Sequence, residues 1–126
     1  MKKEANFQIV FNKYLRATGM QGYFELKQTK TMFSFSAFEP HQITSLLAAQ
    51  EHGLVYKLSD SDMRIKPFDC ISTPPLTAYI VISFTKFFCI IPVNAFVAYV
   101  QKPDHNSQKS LTMLKARELA YRVVKM

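Results

Sequence analysis

The spacing of apolar positions changes along this chain, and each change marks an element. From Lys3 to Ala17, the residues Phe7, Val10, Phe11, Tyr14 and Leu15 recur at helical intervals, an apolar stripe on one face of a helix. Gly19 is a suitable stop. Glu4, three residues before Phe7, lies on the core-facing side of that helix or at its edge. "YFELK" and "TMFSF" then read as two short strands, and a hairpin is one way to join them, although "QTK" is a weak turn. Pro40 suits the first turn of a second helix, from about His41 to His52, with Ile43, Leu46 and Leu47 buried and Gly53 ending it. "LVYKL" reads as a third strand, "SDSDMRIKP" as a polar loop, and "FDCIS" as a short strand after Pro67. The run "AYIVISFTKFFCIIPVNAFVAYV" is rich in β-branched and aromatic residues and reads as buried strands, with a tight connection around Thr85 and Lys86. "QKPDHNSQKS" is linker-like. A basic C-terminal helix is expected over about 110–125, its apolar side Ala116, Leu119, Ala120 and Val123 and its N-cap Ser110.

This order of helices and strands fits an α/β (α+β) fold, a mixed central sheet flanked by helices. A length of 126 residues suits one domain spanning 1–126. No apolar run reaches the roughly 18–20 residues that span a bilayer. The N-terminal stretch "MKKEANFQIVF" lacks an apolar signal-peptide core. Cys70 and Cys89 both fall in strands and show no zinc-type spacing, so two reduced, buried thiols in a cytoplasmic protein are expected.

Charge sharpens the picture. The net charge is +7, and the excess lies at the two ends. Residues 1–30 and residues 102–126 each hold six Lys/Arg against two acids, while residues 31–101 hold four against five. Such clustering is one form of electrostatic footprint for nucleic acid. A soluble basic domain with no polyanionic partner has the same composition, and charge alone leaves both readings open.

The strand "FELK" carries the most specific chemistry. Glu25 and Lys27 are two residues apart, so in a strand their side chains share one face while Phe24 and Leu26 face the other way. A surface ion pair is the simplest account, worth about 0–1 kcal/mol. A metal-holding carboxylate beside a water-positioning ammonium is the other. The residues after this strand bear on the choice: Thr29, the apolar "FSF", His41-Gln42, then Ile43, Leu46 and Leu47. This ordered set resembles the core of the PD-(D/E)xK nucleases, in particular RecU-like and phage-type Holliday junction resolvases, over roughly residues 1–100. "AYIVISF" and "FFCIIPVNAF" resemble the strand pair that comes after the helix in that group.

The resemblance implies a restriction-endonuclease-like core and a Mg²⁺ (or Mn²⁺) site. A carboxylate-held dication orients a phosphate, stabilises charge on its oxygens and lowers the pKa of a bound water. By this likeness Glu25 and the Leu26 carbonyl are metal ligands, Lys27 orients the attacking water, and Gln42 hydrogen-bonds that water or a ligating carboxylate. The family's second carboxylate precedes Glu-x-Lys on the neighbouring strand, yet residues 14–24, "YLRATGMQGYF", contain no acid. Asp69 in "KPFDCIS" is the leading replacement, because "PFD" is similar to the family's Pro-x-Asp element and sits between apolar residues. Its strand is then expected beside the strand of Glu25. Glu4 and Asp60 are further candidates. His41 reads more simply as a helix-start residue than as a base.

Lys30, Arg64 and Lys66 lie near strand ends, and Lys109, Lys115 and Arg117 surround the start of the last helix, where N–H groups also favour anions. These are the candidate DNA contacts. The resemblance implies a Mg²⁺-dependent endodeoxyribonuclease acting on branched or junction DNA as a homodimer. Two other readings stay open: a catalytically inactive nucleic-acid-binding module on the same scaffold, and a non-nuclease α+β interaction domain.

Overall fold

The computed structural model describes residues 2–58, 66–101 and 110–126, with side chains from Asn6 onward. In chain order the elements are α1 (Lys2–Thr18), β1 (Tyr23–Gln28), β2 (Met32–Ser34), a 3-10 turn (Phe35–Ala37), α2 (Pro40–His52), β3 (Leu54–Lys57) and β4 (Cys70–Thr73). They continue as β5 (Ala78–Ser83), β6 (Phe87–Pro92), α3 (Val93–Val100), β7 (Ser110–Thr112), α4 (Met113–Leu119) and β8 (Arg122–Lys125).

The central sheet runs β1-β5-β6-β8. β1 is parallel to β5, and β6 is antiparallel to both β5 and β8. The fold is therefore α+β with a mixed central sheet flanked by helices, as the sequence implied. β5 and β6 are the central strands, which explains why both read as near-continuous apolar runs rather than alternating ones. On one face Phe7 and Phe11 of α1 pack on Val81, Phe88 and Ile90. On the other, Leu46 of α2, Phe96 of α3 and Ala116 of α4 pack on Ile80, Ile82, Cys89 and Ile91.

α1 ends where the Gly19 N–H reaches the Leu15 carbonyl at 2.8 Å. α2 starts with Pro at its first turn, after the N-cap Glu39. It stops at Gly53, where φ is 77° and a Cβ would collide with the Thr73 carbonyl oxygen, so both backbone conformation and space call for glycine. This close approach sets the β3–β4 ribbon against the end of α2.

Four expectations are corrected. β1 and β2 form no hairpin: β2 pairs with β7, which lets Phe33 and Leu111 enter the core together. Residues 93–100 are helical rather than extended. Pro92 ends the β6 ladder, and Val93, Phe96 and Tyr99 are the buried residues of α3. The single last helix is instead β7, the short α4 and β8. Thr112, not Ser110, is the N-cap, its hydroxyl accepting from the Lys115 N–H at 3.1 Å. The β-branched pair Val123 and Val124 continues as a strand because the outer edge of β6 takes it up, pairing it with Cys89 and Phe88. Lastly, Cys89 is buried but Cys70 is exposed, since β4 belongs to a thin ribbon and not to the main sheet.

Candidate functional site

β1 is an edge strand of the main sheet, and its alternation divides its side chains as expected. Phe24 and Leu26 join the α1 core, while Tyr23 packs toward α2. Glu25 and Lys27 share the face of Tyr23. The Lys27 ammonium lies 3.6 Å from Glu25 Oε2, and the two side chains are 18% and 27% exposed. Lys27 also donates to the Ala37 carbonyl at 3.2 Å and sits 5.3 Å from the centre of the Phe38 ring. Its charge is thus fixed from three sides, in contrast to a solvated surface lysine.

Gln42, in the first turn of α2, donates from Nε2 to Glu25 Oε2 at 3.1 Å. Its Oε1 accepts from the Glu39 backbone N–H at 3.0 Å. The two bonds fix the amide orientation, because a flipped amide would turn its oxygen toward a carboxylate and its NH₂ toward an N–H. Helix α2 thereby positions the carboxylate on β1 through one side chain. The sequence pointed to Gln42 as such a partner. It missed Glu39, Ala37 and Phe38, which act through a backbone amide, a carbonyl and a ring, groups that leave no motif.

The backbone of Leu26 faces outward. Tyr23 and Thr29 donate their N–H groups to Thr77 and Ser83 on the β5 side at 3.1 and 2.9 Å. Odd-numbered residues of β1 therefore direct their backbone toward β5, and even-numbered ones toward the open edge. The carbonyl of Leu26, the residue after Glu25, therefore belongs to that edge, and the Glu25 carboxylate to the α2 face. These two oxygen donors are the lower end of what a Mg²⁺ site uses, one or two carboxylates with water and substrate oxygens completing the shell. Among the described residues, no group of three His, Cys, Asp or Glu side chains gathers to hold a metal.

Asp69 does not supply the second carboxylate in the way expected. Its strand pairs with β3 in a separate two-stranded ribbon, not with β1. Asp69 itself precedes β4, its carbonyl accepting from the Leu58 N–H at 2.8 Å. Its side chain is 88% exposed and lies 3.4 Å from Lys66. The apolar neighbours that made Asp69 conspicuous are themselves exposed in this ribbon, Phe68 at 51%. Asp60 falls outside the described residues. Glu4 lies in the first turn of α1, with its side chain outside them. His41 is exposed in the first turn of α2, as a helix-start residue would be.

The basic candidates divide similarly. Arg64 and Lys109 fall outside the described residues. Lys66 faces Asp69. Lys115 pairs with Glu118 at 2.8 Å, and that bond raises its pKa. Arg117 lies 5.1 Å over the Phe87 ring. α4 has seven residues, and the Thr112 hydroxyl already takes up the Lys115 N–H at its start.

Lys30 differs from these. It lines a cleft of about 740 Å³ at the carboxyl ends of the parallel pair β1 and β5, walled by Phe7 and Val10 of α1 and by Phe84 and Thr85. The carboxyl end of parallel strands is a recurrent ligand position. It became visible only once β1 and β5 were seen to be parallel neighbours. No family model matches this chain, and no curated protein matches its sequence.

Proposed function

We propose that the chain is a metal-dependent DNA endonuclease of the PD-(D/E)xK type, acting on branched or junction DNA as a homodimer. The observation that carries this reading is the convergence on Glu25 of Lys27 at 3.6 Å and Gln42 at 3.1 Å, from two elements. Glu25 and the Leu26 carbonyl would hold Mg²⁺ or Mn²⁺. When bound, that ion supplies charge stabilisation at the phosphate and a more acidic water. Lys27 offsets anionic charge and orients the attacking water, in a position already restrained by Ala37 and Phe38. Gln42 keeps the Glu25 carboxylate turned to one side. Lys30, which lines the cleft at the carboxyl end of β1, would meet a phosphate of the DNA strand held there. Two symmetric cuts call for a two-fold assembly.

A second reading is a nucleic-acid-binding module without cleavage. It is favoured by the sparse donor set: among the described residues no group of three His, Cys, Asp or Glu side chains gathers to hold a metal. One experiment separates the readings. A labelled four-way junction, a linear duplex and a single strand are incubated with the chain in Mg²⁺, in Mn²⁺ and in EDTA. Cleavage that needs the cation and is lost in Glu25→Gln supports the nuclease. Binding without cleavage under all conditions supports the module. Neither binding nor cleavage removes both and leaves a non-nuclease interaction domain.

A further inference from the structure

The face of the sheet opposite Glu25 carries an arrangement that the proposed reaction does not use. Near the amino ends of β1 and β5, three rings stand in a row. Phe24 and Tyr79 are register partners, stacked 5.5 Å apart at 12°. The Tyr79 and Tyr121 rings come next, at 6.1 Å. The Arg122 guanidinium lies 5.6 Å over the Tyr121 ring and reaches the Tyr14 hydroxyl at 3.5 Å. Tyr121 is 59% exposed, Arg122 is exposed, and Phe24, Tyr79 and Tyr14 are half-buried. Gly22 makes room for the row: a Cβ there would lie 2.6 Å from the Thr77 carbonyl oxygen and 3.0 Å from the Tyr79 ring.

Among the described side chains, charge on this face has one sign. Residues 6–18, 76–98 and 119–126 contain no Asp or Glu, and Glu25 of β1 points to the other face. Exposed Lys13 and Arg16 flank Tyr14 on α1. We propose that this row is a stacking platform for single-stranded nucleic acid, of the kind present where branched DNA is unpaired. The proposal rests on the nucleic-acid reading of the chain. The exposed Tyr121 ring, backed by the half-buried Tyr79 and Phe24, offers a surface to an unpaired base, whereas a duplex hides its base faces, and nearby Arg and Lys suit the phosphates.

The chain has no Trp, and three of its six Tyr, Tyr14, Tyr79 and Tyr121, belong to this site, so the part of any quenching that Tyr121→Phe removes reports contact with the platform. The test is titration with a short oligothymidylate and with a duplex of equal length, in EDTA so that no cleavage intervenes. The oligothymidylate is expected to quench the emission and bind more tightly than the duplex. Tyr121→Ala is expected to weaken single-strand binding by about tenfold, the loss of one stacking ring, while Tyr121→Phe binds like the parent. Arg122→Ala is expected to weaken it and flatten its salt dependence. Both sites are exposed, and melting curves verify that the variants fold. Absence of quenching by the parent, preference for duplex, or parental single-strand affinity in Tyr121→Ala would overturn the proposal. So would a Tyr121→Ala variant that loses only self-association. Cleavage lost in Glu25→Gln with single-strand binding unchanged in Tyr121→Ala would sink the platform and leave the nuclease standing. The opposite pair of results would do the reverse.

Discussion

Two short segments of this chain carry an acid next to a phenylalanine, Phe24-Glu25 and Phe68-Asp69, and the fold treats them in opposite ways. β1 lies between layers, with α1 against Phe24 and Leu26 and α2 toward Tyr23. Its Glu25 is held by Lys27 and by Gln42 of another element. Asp69 adjoins a thin ribbon with water on most sides, and its ion-pair partner Lys66 is three residues away. An apolar neighbour in sequence does not bury an acid; a second layer of structure does. The ribbon lacks such cover: Val55, Tyr56 and Ile71 are 74%, 50% and 42% exposed. The comparison predicts sharply different sensitivities in the two segments.

The largest effect is expected at Glu25. Glu25→Gln keeps the shape but removes the negative charge facing Lys27, whose contacts with the Ala37 carbonyl and the Phe38 ring remain. Cation-dependent cleavage of junction DNA should fall to background, while DNA affinity in EDTA changes little. Cleavage at the parental rate would break the assignment of the site to this strand. Gln42→Ala comes next. It leaves the carboxylate present but free to turn, and a loss of about 10–100-fold in cleavage or metal affinity is the usual cost of removing such a supporting bond. A Gln42→Glu variant should be worse than alanine, because it sets a like charge against Glu25.

The same contrast explains how much of the molecule was legible in its sequence. α1, α2, β1, β5 and β6 were readable because their apolar spacing answers to one local period. The contact of Gln42 with Glu25 was readable because a motif names both residues. The partners of each strand were not: the sequence of β2 says nothing of β7, seventy-odd residues later. The run 93–100 is apolar on nearly every residue, so its period is hidden, and only Pro92 hinted at the change. Residues 111–124 mimic a helix because Ala116, Leu119, Ala120 and Val123 keep helical spacing across a boundary between α4 and β8. The pairing of the strand after Asp69 with β3 rather than β1 was not legible, because nothing in "FDCIS" marks whether a short strand joins the main sheet or a ribbon.

The cysteines give a third and smaller contrast between the main sheet and the ribbon. Cys89 of β6 is buried, and burial pushes its thiol from the ordinary 9.0 up to about 11, with nearby Arg117 acting in the opposite sense. Cys70 of β4 is exposed. A thiol reagent at pH 8 should modify one cysteine quickly and the other only on unfolding, and Cys70→Ser should remove the fast phase. The burial has a pH consequence. Above about pH 9 the unfolded chain loses the Cys89 proton while the folded chain retains it, so stability should fall between pH 9 and 11. Cys89→Ala should lower stability at neutral pH through lost packing but flatten that alkaline decline. An unchanged slope would show that other groups produce it.

The smallest effect is expected at Asp69. Its carboxylate is 88% exposed and meets Lys66 at 3.4 Å, the type of pair worth about 0–1 kcal/mol or less. Asp69→Asn should therefore change stability by no more than about 0.5 kcal/mol, the range of ordinary surface substitutions. Its effect on cleavage should be slight beside that of Glu25→Gln, measured in the same preparation and cation. The outer edge of β1 gives this experiment its force. Among the described residues the main sheet ends at β1, and the Leu26 backbone faces away from β5. An open edge of this kind is one that another strand can join. If Asp69→Asn abolished cleavage as completely as Glu25→Gln, the ribbon would have to close onto that edge when DNA and metal bind, bringing the two acids to one ion. The contrast between the two segments would then hold for the free chain alone.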